Sequence, residues 1–259
     1  MSGEDETAGD PDFMTSLARG LQVLQQFETQ ATLTTSQGAA ATGLSRAAVR
    51  RCLYTLEKLG YIGAAEGGAY RLRPAILPLA RAYLSAHSFA DAAQPALTAL
   101  RDRLGESCSL GVLDHSDVFY VARAEAAKIM SVALWVGSRL PAYCTSMGRV
   151  LLAHRPLEEI EAYLAQAPFP ARTPRTRTSA ESLRAALAAV REQGYAVIDE
   201  ELEIGLRSIA VPVRNRRGEV IADLNTGAPT ARATVDSLLT DVLPQLRAGA
   251  DEVGLYAEL

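Results

Sequence analysis

Ser45, Arg46, Ala47, Arg50, Arg51 and Tyr54 are spaced so that one helix would carry all six on its outward surface. Guanidinium groups, small side chains and an aromatic ring on one helix suit double-stranded DNA. Arginine pairs with phosphate oxygens and with guanine edges, and small residues let the helix approach the major-groove floor. Two adjacent arginines by themselves mean only a solvated face, so the surrounding elements decide. Gly43 can end a preceding helix in the left-handed conformation, Ser45 can accept a backbone N–H as N-cap, and Gly60 can close the helix. Between those caps Val49, Cys52, Leu53, Leu56 and Leu59 recur at three- and four-residue intervals, which predicts that these five pack inward.

Upstream, Leu17, Leu21, Leu24 and Phe27 make the apolar stripe of a first helix, and residues 34–42 make a second. Three short helices with a tight turn at Gly43-Leu44 are the helix-turn-helix arrangement. Downstream, residues 61–65 and 69–72 flank Glu66-Gly67-Gly68, whose glycines supply the positive φ of a hairpin turn. That hairpin reads as a wing from which Arg71 and Arg73 reach phosphate.

Charge follows the same division. The 259 residues hold 26 Lys and Arg against 30 Asp and Glu, a poor start for a DNA binder. Residues 14–74, however, carry seven basic side chains against three acidic ones. Glu4, Asp5, Glu6, Asp10 and Asp12, among Gly, Ser and Pro, make residues 1–13 a disordered acidic tail. With neither a signal peptide nor an apolar run of membrane-spanning length, a cytoplasmic protein is expected. Cys52, Cys108 and Cys144 have no CxxC spacing, which argues against a disulfide framework or a bound metal and for a reducing compartment. His87, His115 and His154 are isolated. Asp114-His115-Ser116 has only the composition of a catalytic triad, because neighbours in a turn diverge. No phosphate loop or GxGxxG element is present, so neither an enzyme nor a cofactor is expected.

Residues 75–90 read as a linker helix, with Pro74 and Pro78 near its start. Residues 91–259 change to a mixed α and β pattern. A helix is predicted over 95–104, strands over 107–113 and 118–123 around a turn at 114–117, and a third strand over 129–136. Thr178 with Glu181 makes a capping box for a helix ending at Gly194. Strands 208–213 and 219–224 form a hairpin, and a last helix from Val235 is interrupted at Pro244. The class is mixed α/β (α+β), with an antiparallel sheet flanked by helices. Two segments invite a site. Residues 139–153 lead into a helix whose first turn carries Thr145, Ser146 and Gly148, an anion-binding helix start in which Thr145 also reads as a plain N-cap. Asp199, Glu200, Glu201 and Glu203 crowd a second segment, but no histidine lies near, and a solvated loop is the simpler reading.

Residues 16–24, 43–61, 140–153 and 200–213 together resemble the IclR family of bacterial transcriptional regulators. Residues 141–153 and 201–212 further resemble the branch governing aromatic-acid catabolism through the β-ketoadipate pathway. The resemblance implies a winged helix-turn-helix domain over 14–74, and over 91–259 a GAF-like effector domain that binds a small organic or aromatic acid. It also implies homodimers that pair again into tetramers on an operator. Positions matching the family's pocket are Ser146, Met147, Ile198, Leu206, Ser208, Asn225 and Gly227. Ile198 replaces a polar residue of some members, which points to a more apolar ligand. The ligand carboxylate is then expected at Thr145-Ser146-Met147 and its ring among Met147, Leu206, Trp135 and Ile198. Ser208 and Asn225 would meet hydroxyl groups, with Arg123 and Arg149 as reserve carboxylate partners. Gly38 stands where the family has leucine, which predicts a weakened second helix and a missing core contact. Alternatives are a sensor that does not bind DNA and an enzyme built on the second domain.

Overall fold

Side-chain caps start the second and third helices. The structure, a computed structural model, describes residues 10–86, 89–126 and 134–256 and divides between Tyr83 and Leu84 into two units. The first begins with α1 (Thr15–Gln25), α2 (Thr35–Thr42) and α3 (Arg46–Lys58). Thr34 and Gln37 cap α2 reciprocally: Thr34 Oγ1 accepts from the Gln37 amide at 3.2 Å and Gln37 Oε1 from the Thr34 amide at 2.8 Å. Gly43 closes α2 at φ 72°, and Ser45 Oγ then accepts from the Ala48 amide at 3.2 Å to start α3. The hairpin β1 (Ile62–Ala64) and β2 (Tyr70–Leu72) follows, then α4 (Leu77–Ala86).

The core of this unit is Val23, Phe27, Leu33, Val49, Leu53, Leu56 and Ile62. It corrects three expectations. Leu59 is 64% exposed because it is the C-cap of α3, where the chain leaves the core, and Cys52 is only half-buried. Leu17 and Leu21 are exposed, so the expected stripe of α1 is covered only toward its C-terminal end, at the half-buried Leu24 and the buried Phe27. Gly38 leaves no gap, since a methyl built on it would stand 2.9 Å from Val49 Cγ1 and 3.6 Å from Leu33 Cδ2. Those two side chains occupy the space a leucine would take.

The second unit contains α5 (Phe89–Ala92), α6 (Gln94–Leu104), β3 (Cys108–Asp114), β4 (Asp117–Ala124) and β5 (Arg139–Pro141). Next come α7 (Ser146–Ala153), α8 (Leu157–Leu164), α9 (Ala180–Gln193), β6 (Ala196–Asp199), β7 (Leu206–Arg214) and β8 (Val220–Pro229). It ends in α10 (Val235–Ser237) and α11 (Leu243–Leu255). Six antiparallel strands run in the order β5-β4-β3-β8-β7-β6. Alternation along them gives the sheet two faces. Leu110, Val211 and Leu224 meet Leu97 and Leu100 of α6 and Leu246 and Val253 of α11. On the other face Val118, Tyr120 and Ala210 meet Val150 and Leu151 of α7 and Leu187 of α9.

Several boundaries differ from expectation. Ser179, not Thr178, caps α9, accepting from the Ser182 amide, because the Thr178 carbonyl is engaged by the Phe169 amide. Pro244 lies in the first turn of α11, preceded by a π-helical stretch at Leu238–Val242 that absorbs the break. β8 runs five residues past the expected end, to Pro229. In the predicted strand 129–136, residues 129–133 lie outside the described residues, Trp135 to Ser138 form a turn with Gly137 at φ 93°, and β5 pairs with β4 instead. Residues 1–9 of the expected tail and residues 87 and 88 of the expected linker also lie outside them. Among the described residues no helix is long and apolar enough to cross a membrane.

Candidate functional sites

The first unit offers a surface. Ser45, Arg46, Ala47, Arg50, Arg51 and Tyr54 are all exposed on α3, opposite the buried Val49, Leu53 and Leu56. None of the three arginines has a carboxylate partner among the described residues, which leaves their donors available for phosphate or base edges. Lys58 sits over the Tyr54 ring, 5.3 Å from its centroid, and adds positive charge to the same side. Arg71 is exposed on β2 of the wing. Leu33 holds that wing to the helices by exchanging two backbone hydrogen bonds of 2.9 Å with Tyr70.

The second unit offers a cavity at the start of α7. Thr145 caps the helix, accepting from the Gly148 amide at 3.1 Å while donating to the Pro141 carbonyl at 3.1 Å. Gly148 has no room for a side chain, because a methyl there would overlap the Ala142 backbone, and this brings the helix start onto the preceding turn. Beside it, Ser146 is 1% exposed and its hydroxyl has no hydrogen-bond partner among the described residues.

A β-bulge shapes the opposite wall. On β4 the register slips between Leu110 and Gly111, so that Leu110 pairs with Ala122 but Gly111 with Tyr120. The extra residue, Val121, turns inward to the α6 and α11 side, and Tyr120 and Arg123 both reach the cavity, which strict alternation forbids. Arg123 donates to Ser109 Oγ at 2.9 Å through Nη1, while its buried Nε has no partner among the described residues. Two orphaned donors, one hydroxyl and one guanidinium N–H, therefore share this cavity. Buried polar groups are seldom left unpaired, and together these ask for an anionic acceptor.

Of the pocket residues expected from the sequence, Thr145, Ser146, Met147, Leu206, Ser208, Asn225 and Gly227 line this cavity. Trp135 and Ile198 do not. Trp135 is 58% exposed in its turn, and the neighbouring Leu134 lines the wall in its place. Ile198 is buried on the edge strand β6, one strand beyond Ser208, and Leu202 and Leu206 supply the apolar wall there. Ser107, Ser109, Tyr120 and Leu140 complete the lining. A signal for the first two was present, since serines alternate with Cys108 and Leu110 in an otherwise apolar strand. The bulge that admits Arg123 had none. The cavity volume is about 50 Å³. An apolar cavity of roughly 150 Å³ takes up benzene, so a ring entering this smaller one must displace flexible side chains such as Met147 and Leu206.

The acidic segment is a buttress rather than a solvated loop. Glu201 is buried and takes a bidentate bond from Arg149, at 2.8 and 2.5 Å, and also accepts the Arg177 amide at 3.0 Å. Arg149 further donates to the Tyr143 carbonyl at 3.1 Å. Asp199 pairs with Arg175 and Arg207, and Glu200 with Arg175. Arg149 is thus committed to this pair, and Arg123 is the arginine that faces the cavity. No group of His, Cys, Asp and Glu among the described residues could hold a metal ion.

A winged helix-turn-helix unit joined to a sheet-and-helix unit with a small buried pocket defines a ligand-responsive DNA-binding transcriptional regulator. The IclR helix-turn-helix domain profile matches residues 16–64, and that of the bacterial transcriptional regulator IclR C-terminal region matches residues 81–255. The Pca regulon regulatory protein of Pseudomonas putida is 48% identical over 247 residues, covering 95% of this chain and 84% of that protein. An IclR transcriptional regulator from Alicyclobacillus acidocaldarius superposes with a TM-score of 0.81 at 25% identity, covering 95% of this chain and all (100%) of that one. An IclR homologue from Microbacterium hydrocarbonoxydans, solved in complex with 4-hydroxybenzoate, has a TM-score of 0.77 at 28% identity and covers 94% and 99% of the two chains. The chain belongs to the IclR family.

Proposed function

We propose that the protein controls genes of aromatic-acid catabolism, with a small aromatic carboxylic acid bound in the second unit as the signal. One observation carries this reading: Ser146 Oγ and Arg123 Nε are buried donors without a partner among the described residues, in a cavity otherwise walled mainly by Leu134, Leu140, Met147, Leu202 and Leu206. A carboxylate satisfies both donors, and an aromatic ring suits the apolar remainder. The relative named for the Pca regulon and the homologue complexed with 4-hydroxybenzoate support the choice of acid. In this reading α3 and Arg71 contact the operator, residues 14–74 and 91–259 are the DNA-binding and effector domains joined through 75–90, and the protein works in the cytoplasm as a dimer or tetramer.

Calorimetry with benzoate on the parent, Arg123→Met and Ser146→Ala tests the pocket. Loss of a charged hydrogen bond of about 1.5–3 kcal/mol is expected in Arg123→Met, or roughly 10- to 150-fold weaker binding. A fully retained affinity in both variants places the ligand elsewhere.

A further inference from the structure

One buried group on the pocket's own face of the sheet remains unaccounted for. Along β8, Gly227 and Asn225 line the cavity, and the next residue on that face is Asp223. Asp223 is wholly buried in the middle of the sheet, opposite Gly111 on β3 and Pro212 on β7. Neither of its carboxyl oxygens meets a side-chain donor among the described residues, and only the amides of Gly111 and of Asp223 itself act on it, too poorly aligned to count as full hydrogen bonds. Pro212 cannot supply one, because it has no amide hydrogen.

A side chain that lines the cavity lies beside this carboxyl. A methyl built on Gly111 would overlap Met147 Cε, stand 2.6 Å from Asp223 Oδ1 and stand 2.8 Å from Val118 Cγ1. The thioether tip of Met147 and the Asp223 carboxyl therefore crowd the same glycine. Met147 lines the cavity, and methionine is unbranched and easily re-aimed. Tyr120, another lining residue, lies within electrostatic reach of Asp223.

We propose that Asp223 is the far end of the pocket and, once the Met147 side chain swings aside, hydrogen-bonds a hydroxyl group carried on the ligand's ring opposite its carboxylate. The proposal rests on the reading of the cavity as an aromatic-acid site. Arg123 is bonded to Ser109, and Asp223 faces Gly111, two residues further along β3. That step is about 6.8 Å between Cα positions, so the two groups stand at different points along one face of the sheet. An uncharged carboxyl can both donate to and accept from a phenolic hydroxyl. The effector class is then a para-hydroxylated aromatic acid, and Asp223 determines specificity within the pocket.

The test uses the full chain with benzoate, 4-methylbenzoate and 4-hydroxybenzoate, titrated calorimetrically into the parent, Asp223→Asn and Asp223→Leu. The parent is expected to prefer 4-hydroxybenzoate at least about tenfold, because a site built for a hydroxyl rejects analogues lacking it. Asp223→Leu should lose that preference while still binding benzoate. A parent without the preference, or an Asp223→Leu protein that keeps it, overturns the proposal, assigns any hydroxyl contact to Ser208 or Asn225, and leaves the pocket reading standing. A parent that binds none of the three acids overturns both. Should Asp223→Leu fail to fold, infrared difference spectra decide. The carbonyl band of a protonated buried carboxyl, missing in Asp223→Asn, should shift with 4-hydroxybenzoate and not with 4-methylbenzoate, and a band unmoved by either overturns the proposal.

Discussion

Asp223 and Glu201 are both buried carboxyls, yet their surroundings oppose each other. Glu201 accepts from Arg149 and Arg177, whereas Asp223 has no such partner among the described residues. Burial therefore pushes the Asp223 carboxyl well above the ordinary carboxylate range, offset only in part by the amides of Gly111 and of Asp223 itself. A folded-state value above the unfolded 3.8 means that the folded protein holds a proton the unfolded chain has released. That contribution to stability is fully present below the unfolded value and is lost as pH rises through the folded one. Denaturant melts of Asp223→Asn should accordingly gain on the parent as pH rises above about 4, and a constant difference would show that the carboxyl ionises normally. Removing the charge at Glu201 acts the other way, since it strands Arg149 in the core. Glu201→Gln is expected to cost about 3–5 kcal/mol in the same melts, and a loss below about 1 kcal/mol, the value of a surface pair, would show that the pair is solvated.

At the scale of elements, capping chemistry fixes α2 and α3 and is local enough to be legible. Gly43 and Ser45 were readable from type and position alone, and Ser45→Ala should cost about 1 kcal/mol of stability in thermal melts. What was not legible depends on contacts from distant segments. The periodicity that placed Leu59 inward ignores the helix end, and Thr178 lost its capping role to a bond with Phe169. Ile198 and Trp135 have the right chemistry for a ring, but strand order and a turn put them outside the cavity. Arg123 enters it only because the bulge at Val121 breaks alternation, a feature no two-residue pattern records. Gly38 shows the same limit, since the sequence marks the missing leucine but not that Val49 and Leu33 fill its space. Gly38→Leu is therefore expected to overpack the site and lose about 1–3 kcal/mol, and a stabilised variant would contradict that packing.

For the whole molecule, the exposed apolar residues of the first unit have to be reconciled with its charge. Leu17 and Leu21 on α1, and Leu77, Leu79 and Tyr83 on α4, are exposed although each lies in a helix long enough to bury an apolar face. Isolated exposed leucines are ordinary, but Leu17 with Leu21 on α1 and Leu79 with Tyr83 on α4 are pairs four residues apart and so share a face, the pattern of a surface that takes a protein partner. In the proposed dimer that partner is a second copy of the chain. A two-fold dimer presents two α3 helices to half-sites on one face of the duplex, and doubling the basic surface steepens the salt dependence of binding. Leu17→Glu combined with Leu21→Glu should then give a monomer by light scattering at micromolar concentration while leaving the core residues Val23 and Phe27 untouched. In gel-shift titrations over a salt series, that monomer should bind operator far more weakly and with roughly half the salt slope of the parent, because it retains one of two sets of phosphate contacts. Arg50→Ala with Arg51→Ala should instead stay dimeric and lose about one unit of slope for each phosphate contact removed per copy. A double glutamate variant that remains a dimer would move the interface off α1, and one that becomes a monomer yet binds operator like the parent would show that pairing and DNA reading are independent.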